Sequence, residues 1–183
     1  MPLDASARQS LVQLLRHAGY ERREEPFKLT SGGWSHDYVD GKYAVATGAA
    51  LRRASQAVID VVGVDFDAVG GPTMGADALA HGVALLSDSA WFSVRKEPKG
   101  HGRGAWVEGT RLREGERVVI VEDVVSTGAS LLRAVERVAE LGVDVIAATA
   151  LLDRSPVVRR RFEEAGVKWV PLLTWEDLGI EPL

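Results

Sequence analysis

Two rhythms of hydrophobic residues divide the chain. From Phe66 onward, short unbroken apolar runs alternate with segments in which apolar residues recur every three or four positions. The first pattern belongs to strands buried on both faces, the second to helices packed along one side. The runs predict strands at 66–69, 90–94, 117–121, 143–152 and 167–173. The intervening segments predict helices at 76–86, 129–141 and 156–165; in 129–141, Leu131, Val135, Val138 and Leu141 share a face and Gly142 stops the helix. Before Phe66 the same signals predict a helix over 4–18, capped by Asp4 or Ser6, with Leu11, Val12, Leu14 and Leu15 inward and Gly19 as its end. A second runs over 47–62, with Leu51, Ala54, Val58 and Val62 on one side and Gly63 at its close. Between them, 27–43 is rich in Gly, Ser and aromatics and reads as turns with a short strand around 38–40.

Strands alternating with helices of this length imply parallel pairing through right-handed crossovers, an α/β core. In such sheets ligands bind beyond the carboxyl ends of the strands. The segment at the carboxyl end of each strand therefore carries the chemistry.

The run Val118-Val119-Ile120-Val121 ends in Glu122-Asp123, and a turn of small and hydroxyl residues, Val124-Val125-Ser126-Thr127-Gly128-Ala129-Ser130, opens the next helix. Such a turn aims several backbone N–H groups and the positive end of a helix dipole at one anion, which suits a phosphate monoester. No Lys stands in the turn, so the nucleoside-triphosphate pattern is absent. Two carboxylates just before the phosphate suit vicinal hydroxyls, which they accept hydrogen bonds from. They also suit positive charge developing on a sugar ring. A second segment of interest comes directly after the strand at 90–94. Arg95, Lys96, Lys99 and Arg103, with His101, are interleaved with Gly100, Gly102 and Gly104. Converging cations on a glycine-rich loop suit a polyanion that gains charge as it leaves, and Lys99 or His101 can donate a proton to it.

Composition narrows the choice. The chain has 183 residues, enough for one core, and no cysteine, which removes disulfides, thiolate metal sites and a cysteine nucleophile and fits a cytoplasmic setting. The formal net charge of -4 disfavours a dedicated nucleic-acid binder. No apolar stretch approaches the roughly 18 residues that a membrane helix needs.

The segment from Val118 to Ser130 resembles the phosphoribosyl pyrophosphate signature of the type I phosphoribosyltransferases. The order R-K-x-x-K-x-H-G from Arg95 to Gly102 is similar to the loop of the orotate-using members in particular. Phe27-Lys28-Leu29-Thr30-Ser31-Gly32, then Ser35 and Tyr38, resembles the family's N-terminal hood. The resemblance runs in one order from Phe27 to Arg154. It implies a single domain over 1–183: a parallel central sheet flanked by helices, with a small hood contributed mainly by 20–45. The implied reaction moves ribose 5-phosphate from phosphoribosyl pyrophosphate to N1 of orotate, giving orotidine 5'-monophosphate in pyrimidine synthesis. Glu122 and Asp123 would hold the ribose hydroxyls, and Val124, Val125, Ser126, Thr127, Gly128, Ala129 and Ser130 would wrap the 5-phosphate. Arg95, Lys96, Lys99 and His101 would meet the pyrophosphate, making Lys99, His101 and Asp123 the catalytic set. Arg154, ending the strand at 143–152, would grip the orotate carboxylate with help from Ser126, and Tyr38 could stack on the base. Mg2+ is implied, held mainly by substrate oxygens, with no protein ligand assigned. A homodimer is implied, with the 95–104 loop reaching the neighbouring site, and neither nucleic acid nor membrane as partner. No fused decarboxylase domain is expected.

This sequence departs from the family where Thr30 replaces a frequent Lys and Gly75 stands where some members have Lys. Lys28 or Lys42 could compensate. Two other readings stay open: a phosphoribosyltransferase for another base, and a phosphoribosyl pyrophosphate-sensing regulator with the same fold.

Overall fold

The computed structural model describes residues 3–29, 32–98 and 106–183. A six-stranded sheet forms the centre. Its strands are β3 (Ala68–Pro72), β4 (Ala90–Val94), β5 (Val107–Gly109), β6 (Arg117–Val125), β7 (Asp144–Asp153) and β8 (Leu173–Thr174), ordered β5-β4-β3-β6-β7-β8. All neighbours pair in parallel except β4 and β5. Helices α1 (Ala5–Leu14), α3 (Gly48–Val62) and α4 (Asp77–Ser87) pack on one face. Helices α5 (Ala129–Ala139) and α6 (Val157–Glu164) pack on the other.

The central strand shows why its sequence is an unbroken apolar run. Val119 and Val121 belong to the core under α3 and α4, while Val118 and Ile120 belong to the core under α5 and α6. With side chains alternating across a sheet covered on both sides, every position is interior. The helix signals hold where they are local. Thr47 caps α3 by accepting from the Ala50 amide at 3.2 Å, and Gly63 ends it in the left-handed region at φ 69. Asp4, and not Ser6, caps α1.

Several boundaries depart from expectation. The N-terminal hood is a hairpin of β1 (Tyr20–Lys28) and β2 (Trp34–Val39), not turns around one short strand. β1 carries charged residues on both faces, so only its pairing with β2 makes it a strand. β2 leads into a short helix, α2 (Gly41–Ala44), which Asp40 caps. The strand expected at 66–69 sits at Ala68–Pro72, because the two glycines and the proline continue the ladder with β4. The central strand passes through Glu122 and Asp123 to Val125, because its ladder with β7 runs on to Asp153. The polar stretch after β4 hides the antiparallel edge strand β5. The run at 167–173 pairs only at Trp169 and Leu173, with Pro171, which has no N–H to donate, between them.

Two connections diverge at the middle of the sheet. From β3 the chain crosses through α4 to β4 on one side, and from β6 through α5 to β7 on the other. The crevice between the carboxyl ends of β3 and β6 is thus the topological switch point. β3 and β6 approach closely there, and a Cβ on Gly71 would lie 2.0 Å from the Val121 carbonyl oxygen. Gly71→Ala is expected to cost about 3 kcal/mol by overpacking backbone against backbone. Thermal unfolding should show it as roughly 2–4 °C lost per kcal/mol; an unchanged Tm would show that the strands can part without cost.

Candidate active site

A cavity of about 690 Å3 opens at this crevice. β6 delivers Glu122 and Asp123 to its floor, the turn Ser126–Ser130 forms one wall, the Pro72–Gly75 loop the opposite wall, and Leu29 and Lys42 of the hood its rim. Lys96, just beyond β4, also lines it.

The acids are gripped from several directions. Glu122 Oε1 accepts from the Asp123 amide at 3.1 Å, and Asp123 Oδ1 accepts from the Val124 amide at 2.7 Å. A Cβ on Gly75 would lie 2.5 Å from both of these oxygens, so the loop rests directly on the carboxylates and Gly75 makes room for them. Burial, then the neighbouring Asp123 charge, pushes the Glu122 carboxyl well above the usual glutamate range.

The turn beyond the acids is built for an anion. Gly128, at φ 75, precedes α5, whose first residues Ala129, Ser130 and Leu131 line the cavity. Ala129 N–H donates to Thr127 Oγ1 at 3.4 Å, and Arg161 of α6 donates to the Thr127 carbonyl oxygen, fixing the turn from behind. Ser126, Thr127 and Ser130 add hydroxyls at the wall.

The cations and the hood residues take more varied positions. Arg95 pairs with Glu108 at 3.1 Å and lines a smaller adjoining cavity with Lys96, Trp106, Arg133 and Arg137. Lys99 and His101 lie outside the described residues, as does Thr30. Arg154 is buried beneath the hood, where Nη1 donates to the Asp37 carbonyl oxygen at 2.9 Å and Nη2 to Ser35 Oγ at 3.4 Å. Its Nε has no hydrogen-bond partner among the described residues. Burial lowers the guanidinium pKa. Arg154 makes no pair with Asp153, which accepts instead from Trp169 Nε1 at 2.9 Å and the Ser155 amide at 3.0 Å. Tyr38 packs within the hairpin, 5.6 Å from the Phe27 ring and under the Arg23 guanidinium, and does not line the cavity. Lys28 does not line it either, whereas Lys42 does. The sequence alone offers Lys42 no more than a compensating part, and Gly75 none.

Acids before a phosphate-type turn at the switch point of a parallel sheet define a site for phosphorylated sugars. A family model described as a phosphoribosyl transferase domain matches residues 44–171. The orotate phosphoribosyltransferase of Methanothermobacter thermautotrophicus is 38% identical over 172 residues, covering 94% of this chain and 94% of that one. That of Aquifex aeolicus is 39% identical over 179 residues, covering 93% and 97%. A crystal structure of Mycobacterium tuberculosis orotate phosphoribosyltransferase in complex with 5-phospho-α-D-ribosyl 1-diphosphate superposes with a TM-score of 0.79 at 29% identity, over 95% of this chain and 99% of that chain. The chain belongs to the phosphoribosyltransferase family and, within it, to the orotate phosphoribosyltransferases.

Glu122 gives a stability test with a definite sign. A carboxyl whose pKa is higher folded than unfolded binds its proton more tightly when folded. Its contribution is present at low pH and is lost as pH rises from the ordinary glutamate range through the folded pKa. Glu122→Gln cannot ionise, so its Tm relative to wild type should climb as pH rises above the ordinary glutamate range. A difference that stays flat over that rise would mean that Glu122 is not held protonated.

Proposed function

We propose that the protein transfers ribose 5-phosphate from phosphoribosyl pyrophosphate to N1 of orotate, giving orotidine 5'-monophosphate and pyrophosphate in pyrimidine synthesis. The observation that carries this reading is the pair of adjacent acids near the carboxyl end of β6, just before the anion-binding turn, with the Gly75 loop laid across them. With the 5-phosphate in the 126–130 turn, the ribose hydroxyls reach Glu122 and Asp123 and C1 lies over them. As the C1–O bond to pyrophosphate breaks, the Asp123 carboxylate opposes the positive charge growing on the ring, and Lys96 meets the departing pyrophosphate. Lys99 and His101 add charge and a proton donor to the same group. Orotate supplies N1 from the hood side, where Arg154, buried behind Ser35 and Asp37 and not itself lining the cavity, has an unpartnered Nε–H for the orotate carboxylate.

Magnesium fits this donor set as a substrate-borne ion. The cavity presents two carboxylates, Glu122 and Asp123, as hard oxygen donors. When bound with phosphoribosyl pyrophosphate, the ion would neutralise the leaving group. No helix of the described residues is long and apolar enough to cross a membrane, and a cysteine-free chain suits the cytoplasm.

The direct test follows orotate absorbance with phosphoribosyl pyrophosphate and magnesium. Loss of absorbance is expected, and none with adenine or uracil replacing orotate; turnover of another base in its place would overturn the reading. Arg154→Ala should weaken orotate binding by roughly ten- to a hundredfold, the effect of about 1.5–3 kcal/mol for a charge-assisted pair, and phosphoribosyl pyrophosphate binding far less. Equal weakening of both in calorimetry would make Arg154 a prop for the hood alone.

The protein works as a homodimer in which the 95–104 loop serves the neighbouring site. Mixing inactive Lys99→Ala and Asp123→Asn chains tests this. At random assortment about half the dimers are mixed, so roughly a quarter of wild-type activity should return. No recovery, with mixed dimers confirmed by mass spectrometry, would place the loop over its own chain's site.

A further inference from the structure

The hood contributes one cation to the cavity among the described residues, and it is Lys42. Asp40 accepts from the Lys42 amide at 2.9 Å as the cap of α2, and its Oδ1 also lies 2.9 Å from Lys42 Nζ, so the side chain folds back over its own cap. From there Nζ stands 3.6 Å from Asp123 Oδ2. Burial alone would lower the Lys42 pKa, but Asp40 and Asp123 outweigh it and hold the ammonium above its usual range.

An ion pair between neighbours such as Asp40 and Lys42 is ordinary at a surface and contributes little. The approach of α2 to β6 is not ordinary. A Cβ on Gly41 would lie 2.7 Å from the Asp123 Cβ and 3.3 Å from its carboxyl carbon, so only glycine lets the helix start there. The same contact sets Lys42 against one acid of the two. Asp123 Oδ1 is turned to the Val124 amide, which leaves Oδ2 facing the ammonium. Glu122 forms no ion pair with Lys42 and takes its hydrogen bond from the Asp123 amide. The cation therefore stands nearer to one of two adjacent carboxyl groups that are chemically alike, the one beside the hood.

We propose that Lys42 is a positioning residue for ribosyl transfer: anchored on Asp40, its ammonium orients the Asp123 carboxylate beside the ribose. This rests on the transferase reading above. Lys42 acts through Asp123 and not on the base, and at 3.6 Å it leaves the Oδ2 lone pairs open to a hydroxyl. The side chain is about half exposed, at 49%, so its loss should not unfold the protein.

The test compares Lys42→Met, which keeps the chain length and removes the charge, with Lys42→Arg, which keeps the charge. Lys42→Met is expected to lower kcat on the order of tenfold, the scale of one charge-assisted contact. Orotate affinity should stay within about twofold and Tm within about 2 °C, as for a surface change away from the core. Lys42→Arg should recover most of kcat. Wild-type kcat in Lys42→Met would overturn the proposal, as would an arginine variant as impaired as the methionine one. A fall in kcat matched by equal falls in orotate affinity and Tm would also overturn it, since that is the signature of a hood prop. If the wild-type protein fails to consume orotate, the transferase reading fails separately. Lys42 is then judged by calorimetry with phosphoribosyl pyrophosphate alone, where Lys42→Met should bind more weakly and equal binding refutes the role.

Discussion

Two carboxyl groups on consecutive residues at the enclosed end of a buried strand are the constraint around which this protein is arranged. Adjacent acids in a strand would ordinarily point to opposite faces of the sheet. Here both reach the same cavity, and the surroundings supply what each needs. The amides of Asp123 and Val124 satisfy one oxygen of each, the Gly75 loop comes in bare of a side chain, and the hood brings an ammonium to 3.6 Å from the outer acid. Burial that raises the Glu122 pKa works against stability at neutral pH, and a protein retains such a group where chemistry needs it. Close packing of backbone on backbone between β3 and β6 is the other face of this constraint, since it brings the Pro72–Gly75 loop within reach of the acids.

The hood depends on a second buried charge. Arg154 crosses from the end of β7 to the backbone of Asp37, joining parts of the chain 117 residues apart. Asp37 is itself buried and accepts from Tyr20 Oη at 2.9 Å and Arg22 Nη1 at 3.0 Å. The hairpin is thus tied down by charged and polar groups where an apolar core would do so more simply. Such a contact can be exchanged for a ligand's hydrogen bonds without tearing a hydrophobic interface.

The sequence was most readable where the determinants are local. Helix α3 announces itself through Thr47 and Gly63, and β4 through an apolar run bounded by polar residues. The acids and the hydroxyl turn are contiguous, so their joint chemistry could be seen before any fold was known. What escaped is non-local. Nothing in Tyr-Glu-Arg-Arg-Glu-Glu-Pro-Phe-Lys marks a strand, because the ladder with β2 supplies the reason. The extension of β6 through two acids comes from the length of β7 opposite. Gly75 and Lys42 have meaning only beside residues some fifty and eighty positions away, which no spacing rule reaches. Tyr38 shows the converse: an aromatic suited to stacking on a base instead packs within its own hairpin.

At the sheet edge, the Arg95 amide donates to the Trp106 carbonyl oxygen at 2.8 Å, Arg95 pairs with Glu108, and the Arg137 guanidinium lies 4.4 Å over the Trp106 ring. The two ends of the intervening segment are therefore held as neighbours by contacts that owe nothing to the residues between them. Closing a longer loop across fixed ends costs only a slowly growing entropy. The sheet therefore sets little limit on the length between these ends, and what constrains this stretch is the chemistry assigned to Lys99 and His101 rather than the fold.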